Sequence, residues 1–164
     1  MIDITKIDLI VFDFDGVLTD NKVLVDQNGN ESVSCSRSDG LGFDVLKILR
    51  KSAYIISTEK NLVVSARAKK LNIPVLQGVR DKSHIIKNIS KEKNVKLNKI
   101  LFVGNDLNDY YAMQLCGYSA CPSDSHPKIK DIASFVLKTK GGNGVLRELL
   151  EEVFELNVIE ILYK

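Results

Sequence analysis

The sequence predicts an α/β protein, a doubly wound and mostly parallel sheet, and three observations carry that prediction. Short apolar runs recur along the chain, each of a length that suits a buried strand. Segments with helical spacing alternate with these runs, as in a Rossmann-like fold. Polar clusters follow several of the runs, and open α/β sheets bind ligands at the carboxyl ends of their strands. A small β-hairpin insertion at about 20–36 is the one break in the alternation.

Residues 7–12 form the first expected strand. Residues 22–25 and 32–35 alternate around Asp26-Gln-Asn28-Gly29-Asn30, whose Asn-Gly pair favours a hairpin. Residues 39–51 have helical spacing, with Leu41, Val45, Leu46 and Leu49 on one face and Asp39 able to cap the start. A strand at 53–57, a helix at 62–71 and a short strand at 75–76 come next. A helix from 82 to about 93 and a strand at 100–103 follow. The remaining expectations are a short helix at 109–116, a strand at 118–120, and a turn or short helix at 127–133. A strand at 134–137 closes the sheet, and 145–154 is the last expected helix. No repeat, linker or low-complexity segment interrupts the pattern, so 1–164 reads as one domain.

Composition narrows the class. Apolar residues make up 45% and charged residues 27%, the balance of a soluble globular protein. A net charge of +2 encodes no strong pull toward nucleic acid or an anionic membrane. The lysine-rich stretch 91–99 is broken by Glu92 and several Asn, and reads as a solvated helix end. Cys35, Cys116 and Cys121 lack metal-site spacing and point to a reducing compartment. The first residues lack the basic start and long apolar core of a signal peptide, and no run reaches transmembrane length. A cytoplasmic protein is the expectation.

The chemistry begins at Asp13-Phe14-Asp15-Gly16-Val17-Leu18-Thr19. Two carboxylates leave the end of a strand one residue apart, and Gly16 lets the chain turn. One acid can attack or hold a metal while the other moves a proton, which points to phosphoryl transfer through an aspartyl-phosphate. Three further clusters follow strands. Ser57-Thr58-Glu59 offers a hydroxyl and backbone N–H groups to phosphoryl oxygens. Lys82 begins a helix and can neutralise a carboxylate and a phosphate. Gly104-Asn105-Asp106-Leu107-Asn108-Asp109 supplies oxygen ligands suited to magnesium. Each residue alone reads more readily as a turn cap, a surface lysine or a loop acid; the ordered set reads as a site.

In that order the clusters resemble the four motifs of the haloacid dehalogenase superfamily of phosphatases. The resemblance implies that Asp13 is the nucleophile and that Asp15 is general acid and then base. It implies that Asp13, the Asp15 carbonyl and Asp106 hold Mg2+, and that Ser57 and Lys82 steady the phosphoryl group. Asp109, with Asn105 beside it, would support Lys82 or the metal's water shell.

Neither the gap from 13 to 57 nor that from 82 to 106 has room for a cap domain, so the site is expected to be open. Within the superfamily the chain resembles the small capless phosphatases of 3-deoxy sugar acids, which act on 3-deoxy-manno-octulosonate 8-phosphate or on nonulosonate (sialic-acid-type) 9-phosphates. The stretches that carry this are 26–31, Ser38-Asp39-Gly40-Leu-Gly42, Gln77-Gly78 through Lys82, and Gly141-Gly142-Asn-Gly144 through Glu148. The resemblance implies a homotetramer in which a C-terminal tail, about 139–164, covers a neighbour's site. The hairpin is the candidate for that assembly, and the three glycines fit either a mobile tail or a turn before a helix. Thr58, Glu59, Arg67, Lys70 and Arg147 are the candidate substrate-binding residues, with Arg80 a further available cation. Two departures bear on substrate. Ser38 stands where many octulosonate phosphatases have Arg, and Ser57-Thr-Glu59 replaces the common Thr-Gly-Glu or Thr-Gly-Arg, Glu59 rather than Arg leaning toward a nonulosonate 9-phosphate.

A response-regulator receiver would place adjacent acids on its first strand and an acceptor Asp on its third, which this chain does not. A non-catalytic assembly domain associated with a CMP-sugar-acid synthetase is the other alternative. Intact acids at 13, 15 and 106 with Lys82 favour the phosphatase.

Overall fold

The first apolar run forms β1 (Leu9–Phe12), all four residues buried. In this computed structural model, which describes residues 2–164, the hairpin strands β2 (Thr19–Val25) and β3 (Glu31–Cys35) follow it. The sheet continues with β4 (Ser52–Ile56), β5 (Val75–Leu76), β6 (Ile100–Val103), β7 (Tyr118–Cys121) and β8 (Phe135–Val136). Its order is β5-β4-β1-β6-β7-β8, every pairing parallel, while β2 and β3 pair only with each other, antiparallel. The chain therefore steps outward from β1 to β5, then returns to the other side of β1 with β6. That reversal opens a crevice at the carboxyl ends of β1 and β6.

Alternation along the strands feeds two cores. Ile10 and Phe12 of β1 and Leu101 and Val103 of β6 face one; Leu9, Val11, Ile100 and Phe102 face the other. The first core is covered by α1 (Ser38–Ile48) and α2 (Val63–Leu71), the second by α3 (Lys82–Glu92), α4 (Tyr110–Leu115) and α5 (Pro127–Ile132). Burial on both faces is why these strands are continuously apolar. Phe12 meets Phe43 of α1 edge to face at 5.3 Å, fixing that helix on the central strand.

The chain end departs from expectation. In place of one helix over 145–154, α6 (Val145–Glu148) widens into a π turn at Leu149–Val153, and an unexpected α7 (Val158–Tyr163) follows. Leu149, Leu150, Val153, Phe154 and Val158 are buried in the first core, so 139–164 is an integral part of this fold rather than a free tail. The glycines are packed as well. A Cβ at Gly141 would lie 2.2 Å from the Gly16 carbonyl oxygen, and Gly142 N–H donates to the Val17 carbonyl at 3.0 Å.

The face of α1 also differs. Leu41 is exposed and Phe43 takes the buried position with Val45 and Leu46. Asp39 does not cap α1, which already begins at Ser38. Its Oδ1 instead accepts the Leu146 N–H of α6 at 3.0 Å, tying the two helices together.

Candidate active site

Asp13 leaves β1 with its N–H bonded to the Val103 carbonyl of β6 at 2.9 Å, so its position is set by sheet pairing. Its neighbour Phe14 points into the first core, fully buried. Gly16 then turns the chain at φ +78°, where a Cβ would fall 1.9 Å from Asn105 Nδ2. Only glycine allows the two loops this approach. Thr19 Oγ1 accepts the Gly16 N–H at 3.1 Å and the Asn21 N–H at 3.2 Å, closing the loop that carries Asp15.

Lys82 arrives from the first turn of α3, whose start is capped by Asp81 accepting the His84 N–H at 3.0 Å. The buried ammonium lies 2.8 Å from Asp13 Oδ1 and 2.6 Å from Asp109 Oδ1. Asp109 Oδ2 turns back to accept the N–H groups of Asn105 at 2.9 Å and Asp106 at 3.3 Å. One carboxylate thus shapes the loop after β6 and holds the lysine. Burial works against the Lys82 ammonium, but Asp13 and Asp109 outweigh it and raise its pKa. Burial, with Asp109 as a second carboxylate, pushes Asp13 above the ordinary carboxylate range, and Lys82 opposes the shift. Burial and then Glu59 push Asp15 up as well, favouring its protonated form.

A cavity of about 450 Å³ opens over these groups, lined by Asp13, Asp15 and Asp106 with Thr58, Asn105 and Asn108. Asn108 Nδ2 reaches Thr58 Oγ1 at 3.5 Å. Ser57 is buried beneath, its Oγ accepting the Glu59 N–H at 3.0 Å, which leaves its own proton to give. Asn21 and Leu107 complete the lining. Sequence reasoning assigned neither a role. The signal for Asn21 was its place two residues past Thr19, where an Asn can take a left-handed turn.

The other expected substrate-binding residues do not line this cavity. Glu59 Oε1 accepts the N–H groups of Lys60 and Asn61, at 2.6 and 2.7 Å, and so is folded onto its own loop. Arg67 and Lys70 line a separate cavity of about 400 Å³ with Arg37 and Lys47. Arg67 Nη2 donates to the Ser36 carbonyl at 2.8 Å. Arg147 pairs with Glu151 beside a third cavity.

The donors fit a hard cation. Among the described residues no group of three or more His, Cys, Asp or Glu side chains gathers as a cage. The expected set does not require one, since it combines the Asp13 and Asp106 carboxylates with the Asp15 carbonyl. Asn105 Oδ1 is buried beside them without a hydrogen-bond partner. An all-oxygen donor set at a cavity wall suits Mg2+.

A parallel sheet with an acid–lysine centre at its switch point is the arrangement of an α/β phosphoryl-transfer enzyme. The model of the haloacid dehalogenase-like hydrolase family matches residues 41–149, which include Lys82, Asp106 and Asp109. The chain belongs to this family and is a phosphoric monoester hydrolase. It is 30% identical to the 3-deoxy-D-manno-octulosonate 8-phosphate phosphatase of Escherichia coli K12 over 89% of this chain and 78% of that protein. A HAD family hydrolase structure from Streptomyces avermitilis is 39% identical, with a TM-score of 0.90 over 92% of this chain and 87% of that one. The Moraxella catarrhalis octulosonate 8-phosphate phosphatase, solved with magnesium, phosphate and its sugar acid, is 26% identical. Its TM-score is 0.87 over 96% of this chain and 88% of that one.

Proposed function

We propose that the protein is a magnesium-dependent phosphatase that removes the terminal phosphate of a 2-keto-3-deoxy sugar acid. The observation that carries this reading is the buried Asp13–Lys82–Asp109 chain opening onto the cavity that Asp15 also lines. Asp13 attacks phosphorus, the phosphoester bond breaks, and Asp15 gives its proton to the departing alkoxide. Asp15 then takes a proton from water, whose oxygen attacks the aspartyl-phosphate and frees Asp13 and inorganic phosphate. The raised pKa of Asp15 supports its starting as the acid. Lys82, in the first turn of α3, and the Ser57 hydroxyl, just past β4, would steady the phosphoryl oxygens. Bound Mg2+, held by Asp13, Asp106 and the Asp15 carbonyl, would shield the phosphate charge that Asp13 must approach.

The relatives named for octulosonate 8-phosphate favour that eight-carbon substrate, with nonulosonate 9-phosphates as the alternative arm. The hairpin supports assembly into a homotetramer. It pairs with no other strand, and Val23, Leu24 and Val25 are 51%, 75% and 55% exposed. Within one chain Arg67 and Lys70 lie outside the acid cavity, so a neighbouring copy is their route to a substrate carboxylate. Phosphate release with Mg2+ should be fastest on 3-deoxy-manno-octulosonate 8-phosphate, measured against two nonulosonate 9-phosphates and simple hexose phosphates. Equal turnover of all would sink the sugar-acid reading. A monomer in sedimentation that still hydrolyses the sugar acid efficiently would sink the assembly.

A further inference from the structure

Asn21 takes a left-handed turn at φ +61°, which asparagine adopts readily and which Asn72 and Asn94 also adopt in this chain, so the turn accounts for its backbone but not for where its side chain lies. The β2–β3 pairing is irregular between Thr19 and Val23, so Asn21 is outside the regular ladder. Its N–H shares Thr19 Oγ1 with Gly16, which fixes the residue to the loop carrying Asp15. Among the described residues its side-chain amide makes no hydrogen bond, and it lines the same cavity as Asp13 and Asp15. Asn21 is exposed at this cavity wall, so its amide is open to whatever occupies the cavity.

The chemistry of that wall limits what it can bind. No lysine or arginine lines the cavity, and three carboxylates do, so an anionic group beyond the phosphate finds no partner there. The uncharged polar groups are amides and a hydroxyl, those of Asn21, Asn105, Asn108 and Thr58; Asn108 and Thr58 meet each other, and Asn105 is buried where the metal ligands gather. A carboxamide offers both donor and acceptor to an alcohol.

We infer that Asn21 is a specificity-determining residue that reads a hydroxyl of the leaving group close to the phosphoester. This rests on the phosphatase reading and narrows it: polyhydroxylated phosphates are selected at this wall, while the carboxylate of a sugar acid is read elsewhere. Asn21→Gly tests it, because glycine keeps the backbone turn and removes only the amide. The readout is the ratio of kcat/KM for the polyhydroxylated phosphate that wild type hydrolyses best to kcat/KM for p-nitrophenyl phosphate, which has no alcohol beside its ester. Loss of a hydrogen bond between uncharged groups predicts a fall in that ratio of about fivefold. A ratio within about twofold of wild type overturns the inference and leaves Asn21 a turn residue. Wild type that hydrolyses neither compound overturns the phosphatase reading itself, and the inference with it.

Discussion

Asp39→Asn should remove a pH dependence built into the join between α1 and α6. Asp39 is 2% exposed, its Oδ1 accepts the Leu146 N–H, and its Oδ2 is buried without a partner. Burial pushes its pKa from the ordinary 3.8 to about 6, against the pull of the Leu146 N–H and the Arg67 guanidinium. The folded state therefore holds this proton more tightly than the unfolded chain does. The stabilising contribution is complete below the unfolded value of 3.8 and is lost as pH rises through about 6. At about 1.36 kcal/mol per unit, that gap is worth about 3 kcal/mol. Asparagine keeps the acceptor and cannot titrate. Urea unfolding of both proteins from about pH 4 to about pH 7.5 should show their stability difference moving by about 2–3 kcal/mol in favour of the variant, then levelling. Other titrating groups are shared and cancel in the difference. A difference that stays flat with pH, or moves the other way, would refute the reasoning.

Lys82→Ala should lower unfolding stability by about 3–5 kcal/mol, because it leaves Asp13 and Asp109 buried without their cation; a urea midpoint close to wild type would contradict this. Gly141→Ala drives a Cβ against the Gly16 carbonyl, and should cost about 1–3 kcal/mol in thermal unfolding and slow turnover by displacing the Asp15 loop. Removal of Mg2+ with a chelator should abolish phosphate release and re-addition should restore it, with Asp106→Asn raising the Mg2+ needed by about tenfold in a titration.

The strands were legible because a parallel sheet buried on both faces demands unbroken apolar runs, and the site was legible because each chemical group follows one of them. Lys82 contacts both Asp13 and Asp109, although 27 residues separate it from the second. The chain end was not legible. Helical spacing over 145–154 could not reveal a π turn, nor that Asp39 of α1, rather than a local residue, bonds the N-terminal turn of α6. The three glycines read equally as a mobile tail or a turn before a helix; contact with the backbone of residues 16–20 leaves no room for a side chain at Gly141 and Gly142, and Gly144 turns at φ +94° against the Ser38 side chain. Substrate residues were the least legible. Helix periodicity places Arg67 and Lys70 on α2 but cannot say which cavity they border, and Glu59 spends its carboxylate on its own loop. Asn21 carried no motif, since only the fold brings its side chain to the cavity wall.

The central claim is that Asp13 carries the phosphoryl group. Borohydride added during steady turnover reduces an acyl phosphate to the alcohol, converting the phosphorylated residue to homoserine, which peptide mass spectrometry locates. The account predicts homoserine at position 13, dependent on both substrate and Mg2+, and absent from the Asp13→Asn variant, which should be folded and inactive. Homoserine at another acid, or full turnover by Asp13→Asn, would contradict it.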